Sequence, residues 1–322
     1  MPVRAGVTAP DGVLLLAYGG PSVPEEVRPF LREILGGRTS AEGLVEAVER
    51  QYDCIGGVSP LRKKTEAQAA ALADALAASG MRLPVAVGMR HGPPSIGDAL
   101  DDLARRGCRH ARGIILSPFR SPASWDAYRQ QTEVARAALG ARSPQVSYAG
   151  PWGEAPAYVE AVAGRIREEL ARSEPGGPVH IVFTAHAIPY EMAHVSPYSR
   201  EFSAASGAVA VRVPAARVPA ARVPAMAYSM AYQSRPLRAA GAWTGPDLRA
   251  HLAALALDGV RDVVVCPIGF VCDHKEVLYD LDVEARTLAE SAGMRYRRAS
   301  TVEDHPGFIG MLADLVRPPS PC

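Results

Sequence analysis

The sequence has no stretch that approaches 18 uncharged apolar residues, the length at which a hydrophobic run becomes a candidate membrane span. Even the alanine-rich segment Ala69–Ala78 is interrupted by Asp74. The run Val13–Ala17 is too short for the core of a signal peptide, although Arg4 precedes it. Cysteine is scarce and scattered: Cys54, Cys108, Cys266, Cys272 and Cys322, with no Cys-x-x-Cys pair. An odd, dispersed set does not make a disulfide framework and fits free thiols in a reducing compartment. It also lacks the clustering that a cysteine-based zinc or iron–sulfur site needs. Aromatic residues make up only 6% of the chain, which weighs against a base-stacking platform. The net charge is +1, so no global field draws the chain to nucleic acid or to an anionic membrane. The expectation is a cytoplasmic protein with no nucleic-acid partner and no stable membrane insertion.

What is present is a soluble-protein composition, 48% hydrophobic and 21% charged over 322 residues, enough chain for two ordinary domains. Short apolar runs alternate with longer amphipathic ones. The runs Val13–Ala17, Val85–Met89, Gly113–Ser117, Val146–Tyr148, His180–Thr184, Met226–Tyr232 and Asp262–Cys266 read as strands. Between and after them, Pro24–Leu35, Lys63–Ala78, Ile96–Arg106, Trp125–Leu139, Ala157–Arg172, Pro246–Leu257, His274–Ala292 and Pro306–Leu315 read as helices. Near-continuous apolar strands separated by helices indicate parallel sheets covered on both faces. The expected fold class is therefore α/β, with two Rossmann-like, doubly wound domains. Turn residues cluster at Gly150–Gly153, which places the boundary between a domain over 1–152 and one over 153–322. Within the second half, Arg-Val-Pro-Ala-Ala starts at Arg212 and again at Arg217, and Arg222 begins a near-repeat. A period of five fits neither helix nor strand, and Pro214, Pro219 and Pro224 would break a helix. The segment near 204–225 is expected to be a low-complexity surface loop.

In open α/β sheets, ligands bind beyond the carboxyl ends of the strands. Three such ends carry polar residues. The first strand runs into Tyr18-Gly19-Gly20, the strand at 181–184 runs into His186, and Val263–Val265 runs through a Gly-Phe-Val turn toward Glu276. Glu276, Asp280 and Glu284 recur every four residues, and on an α-helix they would form one acidic stripe. Such a stripe is ordinarily a solvated helix face. Beside a strand end, its hard oxygen ligands also suit holding or passing a divalent cation. A lone histidine after a strand is more often a hydrogen-bonded structural residue than a catalyst. Here His186 and Glu276 leave strand ends in the same half of the chain and can face each other across a cleft.

Several ordered segments resemble the ferrochelatases, which insert ferrous iron into a porphyrin in haem biosynthesis. They are Ala17-Tyr18-Gly19 with Pro24-Glu25-Glu26-Val27, the run Tyr52–Leu61, Gly88-Met89-Arg90-His91, Leu116-Ser117-Pro118, Ala185–Pro189, Gln233-Ser234, and Gly269-Phe270-Val271 followed by Glu276 and Asp280-Leu281-Asp282. The resemblance implies two Rossmann-like domains with a porphyrin cleft between them. It implies that His186 and Glu276 are a facing catalytic pair and iron ligands. Imidazole and carboxylate can each accept a pyrrole proton, and each suits ferrous iron. Asp280 and Glu284 would form an outer cation site, with Mg2+ as its candidate ion, or a proton path. The absence of a long apolar lip around Tyr18 resembles the soluble branch acting on coproporphyrin III. In that branch Tyr18 is an axial ligand of product iron, and Gln51, Tyr52, Ser59 and Tyr128 fall among the substrate-contacting positions. Taken alone, Tyr128 reads equally well as a helix-surface tyrosine.

The chain departs from the family where relatives carry arginines and it has Leu35, Gly36 and Gln51, with Arg38 and Arg50 close by. Some relatives hold an iron–sulfur cluster on C-terminal cysteines. Here only Cys322 stands at that end, and no cluster is expected. The implied partners are the porphyrin and ferrous iron, with no other cofactor. The expected state is a monomer in transient contact with neighbouring haem-pathway enzymes. The alternatives are a chelatase for another tetrapyrrole or metal (protoporphyrin IX, cobalt or nickel) and a noncatalytic porphyrin or haem carrier. Deleting Val211–Ala220 is expected to leave activity nearly intact, measured as iron insertion by the purified variant; a folded but inactive deletion would make the repeat functional.

Overall fold

The computed structural model describes residues 9–35, 42–172, 178–213, 228–236 and 241–317. Two four-stranded parallel sheets form the framework. The first contains β1 (Gly12–Gly19), β2 (Val85–His91), β3 (His110–Ile115) and β4 (Gln145–Tyr148), in the order β2-β1-β3-β4. The second contains β5 (His180–His186), β6 (Tyr228–Gln233), β7 (Asp262–Cys266) and β8 (Arg295–Arg298), in the order β6-β5-β7-β8. The winding is the same in both. The chain moves from the central strand to one side, then crosses to the other, so each sheet has a switch point beside its central strand. That is where an open α/β sheet leaves a crevice. Val13–Leu16 and Val263–Val265 are fully buried, as expected of strands covered on both faces.

The helices follow in chain order. A 3-10 turn, Pro24–Glu26, leads into α1 (Val27–Ile34), followed by α2 (Glu42–Cys54), α3 (Leu61–Ala78), α4 (Ile96–Arg105) and α5 (Ala127–Leu139). The second half contributes α6 (Pro156–Ala171), α7 (Tyr190–His194), α8 (Tyr198–Ala210), α9 (Leu248–Leu257), α10 (Lys275–Val277), α11 (Arg286–Ser291) and α12 (Pro306–Val316). Ser95 and Asp98 cap α4 reciprocally, which satisfies amides that the helix start would otherwise leave open. One continuous apolar core takes residues from both sheets, Leu14 and Phe183 among them. Trp152 is buried in it, with ring centroids 5.1 Å from Tyr158 and 5.7 Å from Phe308. The segment Gly150–Gly153, where the turn residues cluster, is thus a packed joint at Trp152. From the end of the chain, α12 returns to pack on α3 and α6.

Several elements differ from the sequence reading. The third strand starts earlier, at His110, and ends at Ile115. The sixth begins at Tyr228, and Met226 lies outside the described residues. β8 is short and charged, with only Tyr296 as an apolar residue, so it carries no periodic signal. Its edge place is held by Arg295 and Arg297, both paired to the buried Asp262. The residues 204–210, assigned above to a loop, lie in α8, where Phe202, Ala205 and Val209 turn one face inward. Val213 is also buried, so a harmless deletion must start after it. The rest of the repeat, from Pro214, lies outside the described residues. The single helix expected over His274–Ala292 is instead α10, a π-helix over Leu278–Ala285, and α11.

Gly19 closes β1 with φ +94, a conformation that L side chains rarely adopt. A Cβ there would stand 1.8 Å from the His91 carbonyl oxygen. Gly19→Ala is therefore expected to destabilise the fold by about 1–3 kcal/mol or more, measured by urea unfolding. An unchanged midpoint would show that the β1–β2 rim yields freely.

Candidate active site

β5 delivers His186 to the carboxyl edge of the second sheet, in register with Gln233 on β6. On the other side of β5, the chain leaving β7 folds back over it. The Gly269 amide donates to the Thr184 carbonyl at 3.0 Å. A Cβ at Gly269 would lie 2.8 Å from the Ala185 Cα, so glycine is what lets this loop seat on the strand. The loop leads to His274, whose Nδ1 accepts from the Glu276 amide at 3.2 Å and caps α10. Glu276 then faces the end of β5. Its Oε1 lies 3.4 Å from His186 Nε2, and the two side chains are 34% and 35% exposed, so the pair is open to solvent.

Gln233 ties the two partners together. Its Nε2 donates to the Glu276 carbonyl at 2.9 Å, and its Oε1 accepts from the Thr184 hydroxyl at 2.8 Å. Its own carbonyl accepts from the Ala187 amide at 2.7 Å. His186 Nδ1 donates to the Ala187 carbonyl, which fixes the ring's orientation and leaves Nε2 facing Glu276. Burial on its own would lower the His186 pKa. The Glu276 carboxylate overcomes this, by charge and by hydrogen bond, and raises it to about 9. Burial would raise the Glu276 pKa, and His186 instead holds it well below the usual carboxylate range. At neutral pH the pair is an imidazolium facing a carboxylate.

The first sheet supplies the opposite rim. Tyr18, at the end of β1, is 44% exposed, its ring centroid 4.9 Å from that of His91. The Arg90 guanidinium lies 5.9 Å from the centre of the same ring. Burial, and then the charge of Glu276, push the Tyr18 phenol up to about 12. Tyr52 is buried in the small core beneath α1 and α2 and is pushed up by burial and the same carboxylate. The rims of both sheets therefore share one electrostatic environment. Ser59 is buried, with its amide on the Pro21 carbonyl at 2.9 Å and its hydroxyl on the Leu61 amide at 3.3 Å. Tyr128 is not a surface residue: it is 5% exposed and lies within electrostatic reach of Arg90 and Tyr18. Gln51 reaches the Tyr279 hydroxyl of the π-helix.

Comparison with known proteins gives the family. The ferrochelatase family profile matches residues 10–319. The chain belongs to the ferrochelatase family. It is 37% identical, over 96% of its length and 87% of the relative's, to a coproporphyrin III ferrochelatase of Propionibacterium freudenreichii. It is 38% identical, over 95% and 87% of the two lengths, to that of Mycobacterium avium. A ferrochelatase of Deinococcus radiodurans is 33% identical over 95% of each. Among solved structures, SirB from Bacillus subtilis with Fe3+ superposes with a TM-score of 0.56 at 14% identity, covering 95% and 93% of the two chains. CbiX, described as the terminal enzyme of sirohaem biosynthesis in denitrifying bacteria, gives 0.52 at 16%, covering 95% and 97%. These last two show a shared chelatase fold. The protein is an enzyme of the metal-chelatase class, as its ferrochelatase relatives are. No helix among the described residues is long and apolar enough to cross a membrane.

Within this ferrochelatase, the acidic stripe meets cations of the protein itself. Asp280 accepts from the Ser234 hydroxyl and stands 3.8 Å from Lys275 Nζ. Glu284 stands 3.6 Å from Arg249. Among the described residues no three His, Cys, Asp or Glu side chains gather as a metal-binding group. Mg2+ needs a near-octahedral shell of oxygen, and two carboxylates already facing Lys275 and Arg249 do not fit that demand. Burial raises Asp280 to about 6, despite Lys275. Gly36, Arg38 and Cys322 lie outside the described residues.

Sequence reasoning singled out His186 and Glu276 but missed how they are held. Gln233 was visible only as part of a Gln-Ser pair, and Tyr198, which donates to the His186 carbonyl at 2.8 Å, had no signal beyond its type. The raised pKa of His186 means that its protonation supports the fold fully below its ordinary 6.5, and that this support is lost as pH rises through about 9. The lowered Glu276 adds support above its ordinary 4.5, lost as pH falls below it. NMR titration of the His186 ring is expected to give about 9 in the wild type and a lower value in Glu276→Gln, where only the Ala187 carbonyl and Asp280 remain to oppose burial. Equal values in both proteins would separate the two groups electrostatically.

Proposed function

We propose that this enzyme inserts ferrous iron into coproporphyrin III, with His186 as proton acceptor and Glu276 as the group that meets the metal. The observation that carries this reading is the solvent-open contact of 3.4 Å between His186 Nε2 and Glu276 Oε1, facing Tyr18 across the two sheet rims. Metallation takes a porphyrin with two pyrrole N–H groups and Fe2+, and yields Fe-porphyrin and two protons. A base must take those protons. His186 is the stronger base of the pair, since Glu276 raises its proton affinity while its own falls. A dication beside Glu276 would lower the proton affinity of His186, so that the imidazolium proton passes to water on the open side and Nε2 is free to take a pyrrole proton. Asp280, raised to about 6, can carry a proton near neutral pH, so the stripe serves as an exit path for protons.

The coproporphyrin assignment rests on the relatives so named and on the opposite rim. Coproporphyrin carries four propionates, and carboxylates seek guanidinium partners. Arg90 lies beside Tyr18 with its buried Nε lacking a protein partner. We assign Tyr18, at the exposed end of β1, as the axial ligand of product iron. Ser59, Tyr52, Tyr128 and Gln51 line or back the same rim. We assign the porphyrin cleft to the junction of the halves 1–152 and 153–322, in an enzyme acting in the cytoplasm.

Anaerobic incubation with Fe2+ and either coproporphyrin III or protoporphyrin IX, followed by optical spectroscopy, is expected to show metallation of coproporphyrin III and little of the other. The reverse preference would overturn the substrate. His186→Ala is expected to lose on the order of 10²–10⁴ in turnover while still quenching porphyrin fluorescence on binding; near-wild-type turnover would remove His186 from the chemistry.

A further inference from the structure

The two halves are joined near the site by a loop of which the sequence marked only the start, Leu116-Ser117-Pro118. After β3 the chain runs Leu116-Ser117-Pro118-Phe119-Arg120-Ser121 and inserts into α8, which belongs to the other half. Phe119, 1% exposed, sits against two rings of α8, with centroids 6.1 Å from Tyr198 and 5.6 Å from Phe202. Its neighbour Arg120 clamps Glu201, a carboxylate only 4% exposed. The Arg120 amide donates to Oε2 at 2.8 Å, Nε donates to Oε1 at 2.7 Å, and Nη2 closes on the same oxygen. The loop is stiff in itself. Trp125 Nε1 donates to the Ser117 carbonyl at 3.0 Å, and the Ser117 and Ser124 hydroxyls both donate to the Phe119 carbonyl at 3.3 Å.

One turn of α8 connects this clamp to the chemistry. Glu201 is three residues from Tyr198, and both lie on the buried face. The Tyr198 hydroxyl donates to the His186 carbonyl at 2.8 Å. The peptide that follows presents the Ala187 carbonyl to His186 Nδ1, so the orientation of that peptide sets the direction of Nε2. A surface ion pair would contribute little. A nearly buried one with three contacts is different, because removing one partner strands a charge.

We propose that Phe119, Arg120, Glu201 and Tyr198 form a positioning strut through which the first half of the molecule sets the orientation of the His186 imidazole. Tyr198 and Glu201 are positioning residues: they touch neither porphyrin nor metal. This rests on the reading of His186 as the reacting base. The strut makes the distance between the two sheet rims and the aim of the imidazole one variable. It differs from a structural brace in what it predicts. A brace affects melting temperature alone, whereas a strut affects the reacting histidine.

The test compares Tyr198→Phe, Glu201→Gln and the double variant Arg120→Met/Glu201→Met, each in the full chain. Tyr198→Phe keeps the ring contacts and removes only the hydroxyl. It is expected to lower kcat about tenfold with KM for iron and porphyrin unchanged, and to move the His186 ring resonances and their titration midpoint. Glu201→Gln is expected to give the same displaced resonances and the same loss of kcat. The double variant, which leaves no stranded charge, is expected to regain stability while keeping the displaced resonances. Unmoved His186 resonances and unaltered kcat in Tyr198→Phe and Glu201→Gln, with only a lower melting temperature, would overturn the strut. A fully active His186→Ala would instead overturn the underlying assignment of the base, and the resonance shifts would still report whether the strut exists.

Discussion

An imidazolium and a carboxylate 3.4 Å apart hold each other charged in a place where burial opposes both charges. Desolvation favours the neutral form of each group, yet His186 rises to about 9 and Glu276 falls. The mutual field therefore outweighs the loss of water, as it can only at short range and with a defined geometry. Everything else at the site serves that separation. Gln233 bonds toward both partners at once, to the peptide after His186 and to the carbonyl of Glu276. Gly269 lets the β7 loop seat against β5. His274 caps the helix that carries Glu276. In a fixed pair of opposite charges, open to solvent on one side, the proton affinity of each group is set by the other.

The architecture explains why the pair faces a second rim. Both sheets wind alike, and the central strand of each ends in a candidate residue, Tyr18 on β1 and His186 on β5. A single apolar core joins them, with Trp152, Tyr158 and Phe308 at the joint. The ends of the two sheets thus stand as two jaws on one shared core. A flat macrocycle with acidic substituents has ring nitrogens to offer one jaw and carboxylates to offer the basic and hydroxyl groups of the other. Arg90 beside Tyr18 supplies such a group.

Much of this was legible in the chain. Val13–Leu16, Ile181–Phe183 and Val263–Val265 are uninterrupted apolar runs, and each is a buried strand. His186 was conspicuous because a polar residue at the end of such a strand falls at the carboxyl edge, and Glu276 because the turn after Val263–Val265 leads toward it. Other features left weak local signals. β8 reads Arg-Tyr-Arg-Arg and is a strand only because Asp262 collects Arg295 and Arg297 beside β7. α8 contains Gly207 and several serines, poor helix formers, and is helical because Phe202, Ala205 and Val209 bury one face. The π-helix over Leu278–Ala285 has the composition of an α-helix, and the wider turn changes how the acidic residues align. Tyr128, an even choice between surface and cleft by sequence, is buried because α5 turns it toward Arg90 and Tyr18.

Sequence alone determined the α/β class, seven of the eight strands among the described residues, and the residue types at their ends, because strand burial and strand-end position depend on hydrophobic runs that are local. It did not determine that a carboxylate ninety residues downstream meets His186 at 3.4 Å, that Lys275 and Arg249 stand against the acidic stripe, or that a loop from the other half locks onto Glu201. Those are facts of tertiary structure. Each depends on where two distant backbones come to rest, and pairwise charge and hydrogen-bond energies change steeply over the single ångströms that only the packed fold sets.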